Sequence, residues 1–320
     1  MQRLLIGLLI AGLGAALPAF AAETYPAKPV EIIVPYSAGG GVDLTARILA
    51  EHAKAHLGQP MVVVNRTGGG GAVGFTAGAQ ARPDGYTLTM MTNAALSDEF
   101  LVKGARYNYR SFTPLLQVAF DPAVLVVKKG GPYDLPLEGF LDAARKNPGQ
   151  IRIGAGGNWS AQDITRALLE REAGVRFARV PFPGGAPAVT ALIGGHIDAA
   201  VAYISEFKGH YDAGTVRPIA VTGEARSPFL PNVPTFAELG VPLPVGVWRI
   251  VAAPAGTPPE VVRTLEAALL KGVNEPAARE AFRKAGVNVS VRDAAETRRY
   301  LEDQYRFYAQ LVKDFGLEPK

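Results

Sequence analysis

The sequence predicts an α/β protein of two lobes with a ligand cleft between them. Short apolar segments alternate with helical segments along most of the 320 residues, which is typical of parallel sheets covered by helices on both faces. Two separate stretches also repeat the order strand, glycine turn, helix. The chain is too long for one ordinary core, and ligands of such folds bind at the carboxyl ends of the strands.

The first round of alternation ends in a change of pattern near residue 115. Its predicted elements are, in chain order, a strand over 30–36, a helix over 43–57, a strand over 61–65, a helix over 72–81 and a strand over 86–92. Two strand-like runs, "LLQVAF" and "AVLVVKK", then stand on either side of Asp121-Pro122. We interpret this interruption as the crossing from one lobe to the next.

The second round begins at residue 151 and ends in a proline-rich connector. Its predicted elements are a strand that leads into a glycine turn over 151–157, a helix over 161–172, a strand over 176–182, a helix over 186–193, and strands over 196–204, 217–223 and 247–254. Two helical segments after Pro258 finish the chain. We therefore predict residues 22–122 as the first part of lobe 1, 123–245 as lobe 2 and 246–320 as the return to lobe 1.

The first 22 residues have the pattern of a secretory signal peptide. Arg3 precedes an uncharged apolar run over 4–17, and Ala19-Phe20-Ala21 fits the small-x-small cleavage pattern. The alternative, a transmembrane anchor, is disfavoured because the run is short. We predict cleavage near Ala21, after residues 1–21, and export to a bacterial periplasm.

The amino-acid composition excludes several kinds of site and ligand. The chain has no cysteine, which excludes disulfides, cysteine-bound metals and thiol catalysis, and a lipid-anchored N-terminus is not expected. The net charge of +4 weakly favours anionic ligands. Nucleic acid is not an expected partner, because no basic run with interleaved aromatic residues occurs.

Two glycine turns are the main candidates for a binding site. In "YSAGGGVD", residues 36–43, no lysine follows the glycines, so the turn is not a Walker loop. Backbone N–H groups and a helix N-terminus still suit a carboxylate. "GAGGNWSAQD", residues 154–163, repeats the arrangement, and two facing turns could hold one acid from both sides. The alternative is that both turns merely start helices; Asp43 is predicted to cap the first one.

Other motifs give no catalytic or metal-binding assignment. The pattern Gly69-x-Gly71-x-x-Gly74 follows the wrong strand for a dinucleotide fingerprint and is interpreted as a structural turn. His52 and His56 have the spacing of two metal ligands but no evident third ligand. No serine lies in a G-x-S-x-G elbow. We predict no catalytic residue, no metal and no cofactor.

Arg249 stands among apolar strand residues, where an unpaired guanidinium would pay a desolvation cost. Its fork of donors suits a ligand carboxylate. A buried ion pair with one of the protein's own acids is the other interpretation, and the sequence leaves both open.

A family resemblance follows from six segments that occur in order over almost the whole chain after residue 24. They are "YPAKPVEIIVPYSAGGGVDLTARILAE", "VVVNRTGGGGAVG", "PDGYTL", "VPFPGGAPAVTALIGGHIDAA", "LPNVPTFAELG" and "APAGTPPEVV". They resemble the substrate-binding proteins of tripartite tricarboxylate transporters, also called the Bug family of periplasmic receptors.

The resemblance implies a type II periplasmic binding fold with two crossover strands, which closes like a Venus flytrap on a small carboxylated molecule. It also implies delivery to membrane permease subunits, and we expect a monomer. By the resemblance the ligand is held by residues of the two turns and of other cleft-lining positions: Tyr36, Ser37, Ala38, Gly39, Gly40, Gly156, Gly157, Asn158, Ser160, Asn93, Tyr203 and Ser205, with Arg249 as the further candidate.

The sequence also departs from the family pattern. Pro183 stands where relatives usually carry a lysine, and Ile250 where a glycine is usual. The "YISE" stretch and Trp248-Arg249 resemble the branch with citrate-type receptors, which favours a di- or tricarboxylate, while aromatic acids remain open. The alternatives are a sensory receptor that presents the same ligand to a membrane kinase and, less favoured, an enzyme on the same scaffold.

Overall fold

The computed structural model describes residues 25–156, 160–223, 225–243 and 245–316. The predicted signal peptide lies outside these ranges. The strands are β1 (Val30–Val34), β2 (Met61–Asn65), β3 (Thr87–Met91), β4 (Phe112–Lys128), β5 (Arg152–Ala155), β6 (Ala178–Pro181), β7 (Ala199–Tyr203), β8 (Val216–Val221), β9 (Gly246–Pro254) and β10 (Val289–Arg292). The helices are α1 (Gly41–Leu57), α2 (Ala72–Ala79), α3 (Ala94–Leu101), α4 (Leu137–Lys146), α5 (Ala161–Ala173), α6 (Gly185–Ile193), α7 (Ile204–Asp212), α8 (Pro259–Asn274), α9 (Pro276–Lys284) and α10 (Ala294–Asp314).

The first part of the sheet has the strand order β2-β1-β3-β9-β4, with β10 also paired to β4. Strands β2, β1 and β3 are parallel, whereas β9 runs antiparallel to both β3 and β4. The apolar stripe of α1, which includes Leu49 and Ala53, packs on this sheet together with Leu265 and Leu269 of α8. The C-terminal helices thus return to the first round of elements.

The second part of the sheet is formed by β6-β5-β7-β4, with β8 on the other side of β4. Strands β5, β6 and β7 are parallel, and both β7 and β8 run antiparallel to β4. The prediction of parallel strands therefore holds within each round. It fails at the crossover strands, which run in the opposite direction.

Strand β4 connects the two parts as one element of 17 residues. Its residues up to Pro122 pair with β9, and its residues from Ala123 pair with β7 and β8. The predicted interruption at Asp121-Pro122 is thus a change of partners within a continuous strand. Proline fits there because a residue between two ladders does not need to donate a backbone hydrogen bond. The predicted division into lobes places its first boundary at the same point.

The end of the chain differs from the predicted two helices. It contains α8, α9, the short strand β10 and α10. The break between α8 and α9 is local: Glu275 is extended, as expected before a proline, and Pro276 begins the next helix. Helices α3, α4 and α7 were also not predicted. In α4 the apolar residues Leu137, Phe140, Leu141 and Ala144 have helical spacing, so its signal was present in the sequence but not used. Among the helices described, none has both the length and the apolar character needed to cross a bilayer.

Candidate ligand-binding site

The first glycine turn joins β1 to α1 and is exposed from Ser37 to Gly40. Tyr36 is fixed beneath it, because its hydroxyl shares a 2.8 Å hydrogen bond with Thr92 and its carbonyl accepts one of 2.9 Å from Asn65. Gly39 has a φ of 82°, a left-handed conformation in which glycine is favoured. The backbone of the turn is therefore held in place while its outer surface stays open.

Asp43 braces this turn from inside the protein. It accepts hydrogen bonds of 2.8 to 2.9 Å from the Gly39 N–H, the Arg47 guanidinium and the Asn65 amide. Although burial opposes its ionisation, these donors hold the pKa of Asp43 below its ordinary value. The predicted helix cap is thus wrong: Gly40 is the N-cap residue, and no side chain caps α1.

The second glycine turn joins β5 to α5. Gly156 donates a 3.1 Å hydrogen bond from its N–H to the Gln162 side chain. Ser160 caps α5 by accepting a 3.3 Å hydrogen bond from the Asp163 N–H. Two further predicted site residues, Gly157 and Asn158, lie outside the described residues.

Arg249 lies between the two rounds of elements on β9 and is only 2% exposed. It forms an ion pair with Asp121 of β4 and donates a 2.8 Å hydrogen bond to the Thr45 hydroxyl of α1. Its Nε has no hydrogen-bond partner among the described residues. Of the two interpretations of Arg249, the buried ion pair with an acid of the protein is therefore the one observed. A ligand contact of Arg249 would be additional to this ion pair.

Gly41, the first residue of α1, marks where the parts of the site meet. A Cβ atom at this position would lie 2.7 Å from Nη2 of Arg249 and 3.4 Å from Oγ of Ser205. The start of α1, the buried guanidinium and the exposed serine of α7 are therefore neighbours. Only a residue without a side chain fits between them.

Asn93 occupies a different place, because it is 4% exposed and faces the protein interior. Its amide donates a 2.9 Å hydrogen bond to the Tyr308 hydroxyl of α10 and one of 3.2 Å to the Gly246 carbonyl. Burial raises the pKa of Tyr308 to about 12. Asn93 thus joins the end of β3 to β9 and the last helix, and its contacts do not extend to the glycine turns.

Tyr203 and Ser205, both predicted to line the cleft, stand at the β7–α7 junction, and a residue not predicted from the sequence organises them. Glu206 accepts hydrogen bonds of 2.7 Å from the Tyr203 N–H and 3.1 Å from the Gly185 N–H. It also accepts one of 2.8 Å from Gln162, the side chain that holds Gly156. The contact of Glu206 with the Tyr203 N–H has the spacing of one half of a capping box, but tyrosine is not an N-cap residue type, so the sequence carried no recognisable signal of it.

The remaining motifs have structural partners. His52 Nδ1 and His56 Nε2 both contact the carboxylate of Glu275, at 2.7 and 2.8 Å, and so tie α1 to α9. In the part of the chain that the structure describes, no three or more His, Cys, Asp or Glu residues are arranged to hold a metal ion. A Cβ at Gly74 would lie 2.7 Å from the backbone of Pro35 and Arg66, which is the close approach of a structural turn.

The sequence is similar to a known family of receptors and to individual proteins of known name. Residues 45–317 match the family model of the tripartite tricarboxylate transporter family receptor. Protein BugT of Bordetella pertussis is 32% identical over an alignment that covers 100% of this chain and 99% of BugT.

Two solved structures are also similar to this chain. An R. palustris protein with adipate superimposes with a TM-score of 0.82 at 28% identity, over 92% of this chain and all of that one. The malate-bound MatC protein of Rhodopseudomonas palustris gives a TM-score of 0.78 at 28% identity, over 90% of this chain and all of that one. The predicted two-lobed periplasmic binding fold is confirmed by these structures, and this chain belongs to the receptor family of the tripartite tricarboxylate transporters.

Proposed function

We propose that the protein is a non-enzymatic periplasmic receptor that captures a small organic acid and delivers it to a tripartite tricarboxylate-type transporter in the membrane. The observation that carries the proposal is the start of α1, where an exposed glycine turn has no side-chain cap and lies beside the buried Arg249. The uncapped N–H groups and the helix dipole, roughly half a positive charge, suit a carboxylate. The adipate and malate held by the two similar proteins support the same ligand class.

The proposed ligand contacts are divided between the two lobes. In the first, the turn from Ser37 to Gly40 takes one carboxylate through its backbone N–H groups other than that of Gly39, which already donates to Asp43, and Tyr36 forms the wall beneath it. In the second, Gly156, Gly157, Asn158, Ser160, Tyr203 and Ser205 line the facing side. Asn93 and Arg249 support the site from the protein interior. Asn93 holds the ends of β3 and β9 together, and Arg249 supplies a buried positive charge.

Thermal unfolding of the ligand-stripped protein tests the ligand class. A bound acid at a hundred times its Kd stabilises the native state by about 2.7 kcal/mol. For a chain of this size we expect a Tm increase of roughly 5 to 10 °C. Adipate, malate, citrate and benzoate should be compared with adipamide, which has the length of adipate without its charges. A panel in which no carboxylate raises the Tm would contradict the proposal.

Gly40→Pro tests the glycine turn itself. Gly40 has a φ of −75°, which proline adopts, and proline already stands at the N-cap positions of α4 and α8. The substitution therefore deletes one backbone N–H while the backbone keeps its shape. Because a hydrogen bond to a charged group contributes about 1.5–3 kcal/mol, the affinity for the best acid should fall about 10- to 100-fold in calorimetric titration.

Gly40→Ala is the matched control, since it keeps the N–H and its Cβ meets only the Ser37 carbonyl, at 3.5 Å. It should bind within a few-fold of the wild-type protein. Equal affinities of the proline and alanine variants would show that this N–H does not hold the ligand.

A further inference from the structure

Three turns at the carboxyl ends of the second-lobe strands converge on one side chain. The Glu206 carboxylate accepts from the Tyr203 N–H at the β7–α7 junction through Oε2 and from the Gly185 N–H at the start of α6 through Oε1. Oε2 also accepts from Gln162, whose own Oε1 accepts from the Gly156 N–H after β5. A single carboxylate thus connects the turns that follow β5, β6 and β7.

The surrounding backbone is shaped to admit this carboxylate. A Cβ atom at Gly185 would collide with the Glu206 carboxylate, and one at Gly156 would collide with the Gln162 amide. A larger residue at either position would therefore have to displace the Glu206 or Gln162 side chain. Gln162 is 3% exposed, so the connection passes through the interior and not over the surface.

The environment of Glu206 raises its pKa. Burial is the largest cause and Asp121 acts in the same direction, while the Tyr203 and Gly185 N–H groups and the positive charge of Arg249 act in the opposite direction. The carboxyl group also occupies N–H groups at the starts of α6 and α7.

We propose that Glu206 is a positioning residue of the ligand site, whose carboxylate fixes the three turns of the second lobe in the arrangement that receives the acid. This proposal rests on the proposed function, because its ligand is the organic acid named there. The arrangement of the three turns around Glu206 does not depend on that function. Glu206 itself does not contact the acid. Its effect passes through Tyr203, Gly156 and, by way of α6, the turn between β6 and Gly185.

Glu206→Gln is the test. An amide in place of the carboxylate puts a donor against the N–H of either Gly185 or Tyr203, so at least one turn loses its acceptor. In the ligand-free protein, we expect hydrogen exchange to accelerate either at Gly185 or at Tyr203 and Gly156 together, depending on which oxygen the amide nitrogen replaces, with the β4–β7 ladder unchanged. The affinity for adipate, or for whichever acid binds the wild type best, should fall at least tenfold.

Asp212→Asn is the matched control, because it removes a carboxylate from the same helix that pairs only with Lys208 at the surface. It should leave both exchange and affinity unchanged. If Glu206→Gln does not fold, Gln162→Met removes the Gly156 acceptor at similar volume and leaves both N–H groups on Glu206. This variant should accelerate exchange at Gly156 alone and weaken binding.

Two results would overturn the proposal: an affinity of Glu206→Gln within twofold of the wild type, or exchange that accelerates uniformly through the second lobe. A wild-type protein that binds no acid would defeat the proposed function instead. In that case the exchange pattern of the ligand-free variant still decides whether Glu206 fixes the turns.

Discussion

The Arg249–Asp121 pair shows how far a single residue can be interpreted from sequence. The apolar neighbours of Arg249 indicated burial and therefore a partner. They could not identify that partner, because Asp121 lies 128 positions away and meets Arg249 only through the pairing of β4 with β9. The carboxylate of Asp121 also accepts a 3.0 Å hydrogen bond from the Asn288 N–H. The pair thus joins both crossover strands to the loop before β10.

Arg249→Met should destabilise the fold itself. Removing one partner of a buried ion pair leaves the other charge without compensation and typically costs about 3–5 kcal/mol. We expect the free energy of unfolding, measured with urea, to fall by about that amount. Arg249→Met with Asp121→Asn should regain most of the loss, since the neutral amide can still accept from Asn288.

Arg306→Met, on an exposed part of α10, is the control and should change stability by less than about 0.5 kcal/mol. A stable Arg249→Met protein that loses only ligand affinity would assign Arg249 to ligand binding alone.

Glu206 and Gln162 illustrate what the sequence could not provide at the residue scale. The contact of Glu206 with the Tyr203 N–H is local, but tyrosine is not an N-cap residue type and gave no signal of it. The contacts with Gly185 and Gln162 join residues 21 and 44 positions apart, and only the packing of α5, α6 and α7 brings them together. The glycine turns were recognisable because their signal is local, whereas the side chains that hold them carry no local pattern.

At the scale of elements, the sequence predicted strands and helices best where the chain alternates regularly. The strand over 61–65 was predicted to the residue, and α1 was predicted to within two residues of its start. The direction of β9 could not be predicted from the sequence, because its pairing partners β3 and β4 are both distant along the chain. Helices are instead placed by close packing, as between α1 and α8, where Gly272 lies directly against Ala53.

Gly272→Ala should separate these two helices. Its Cβ would lie 2.7 Å from the backbone of Ala53, and an overpacked contact costs about 1–3 kcal/mol. Alanine gains about 1 kcal/mol over glycine within a helix, so a net loss of about 0–2 kcal/mol is expected in urea unfolding.

Gly209→Ala in α7 is the matched control, because no atom lies within 4 Å of its added Cβ. It should stabilise the protein by about 0.5–1 kcal/mol. Equal changes in the two variants would mean that the packing of α1 on α8 adapts freely.

At the scale of the whole molecule, the proposed closure requires the lobes to separate and meet. They touch in this structure where α7 faces the loop after α9: a Cβ at Gly286 would lie 3.9 Å from that of Ser205. The Cβ–Cβ separation is in the range of a disulfide, but Cα of Ser205 is slightly nearer, at 3.7 Å, so a bridge requires a small movement of the backbone; the chain has no cysteine of its own that could interfere.

Ser205→Cys with Gly286→Cys should therefore form a reversible lock. Gly286 has a φ of 69°, so the substitution costs about 1–2 kcal/mol but leaves the fold intact. We expect the oxidised protein to bind its acid at least tenfold more slowly in stopped-flow mixing, and reduction to restore the rate. Each single variant, with and without reductant, is the control. Equal rates in the oxidised and reduced double variant would show that entry of the ligand needs no separation of the lobes.

The position of β9 has a consequence for how the chain is made. β3 and β4 are not paired with each other, because β9 fills the space between them. An N-terminal segment that ends before residue 246 therefore contains all the strands of the second lobe but lacks the central strand of the first. The first sheet can be assembled only after residues 246–254 have left the ribosome, so the first lobe acquires its fold late in synthesis.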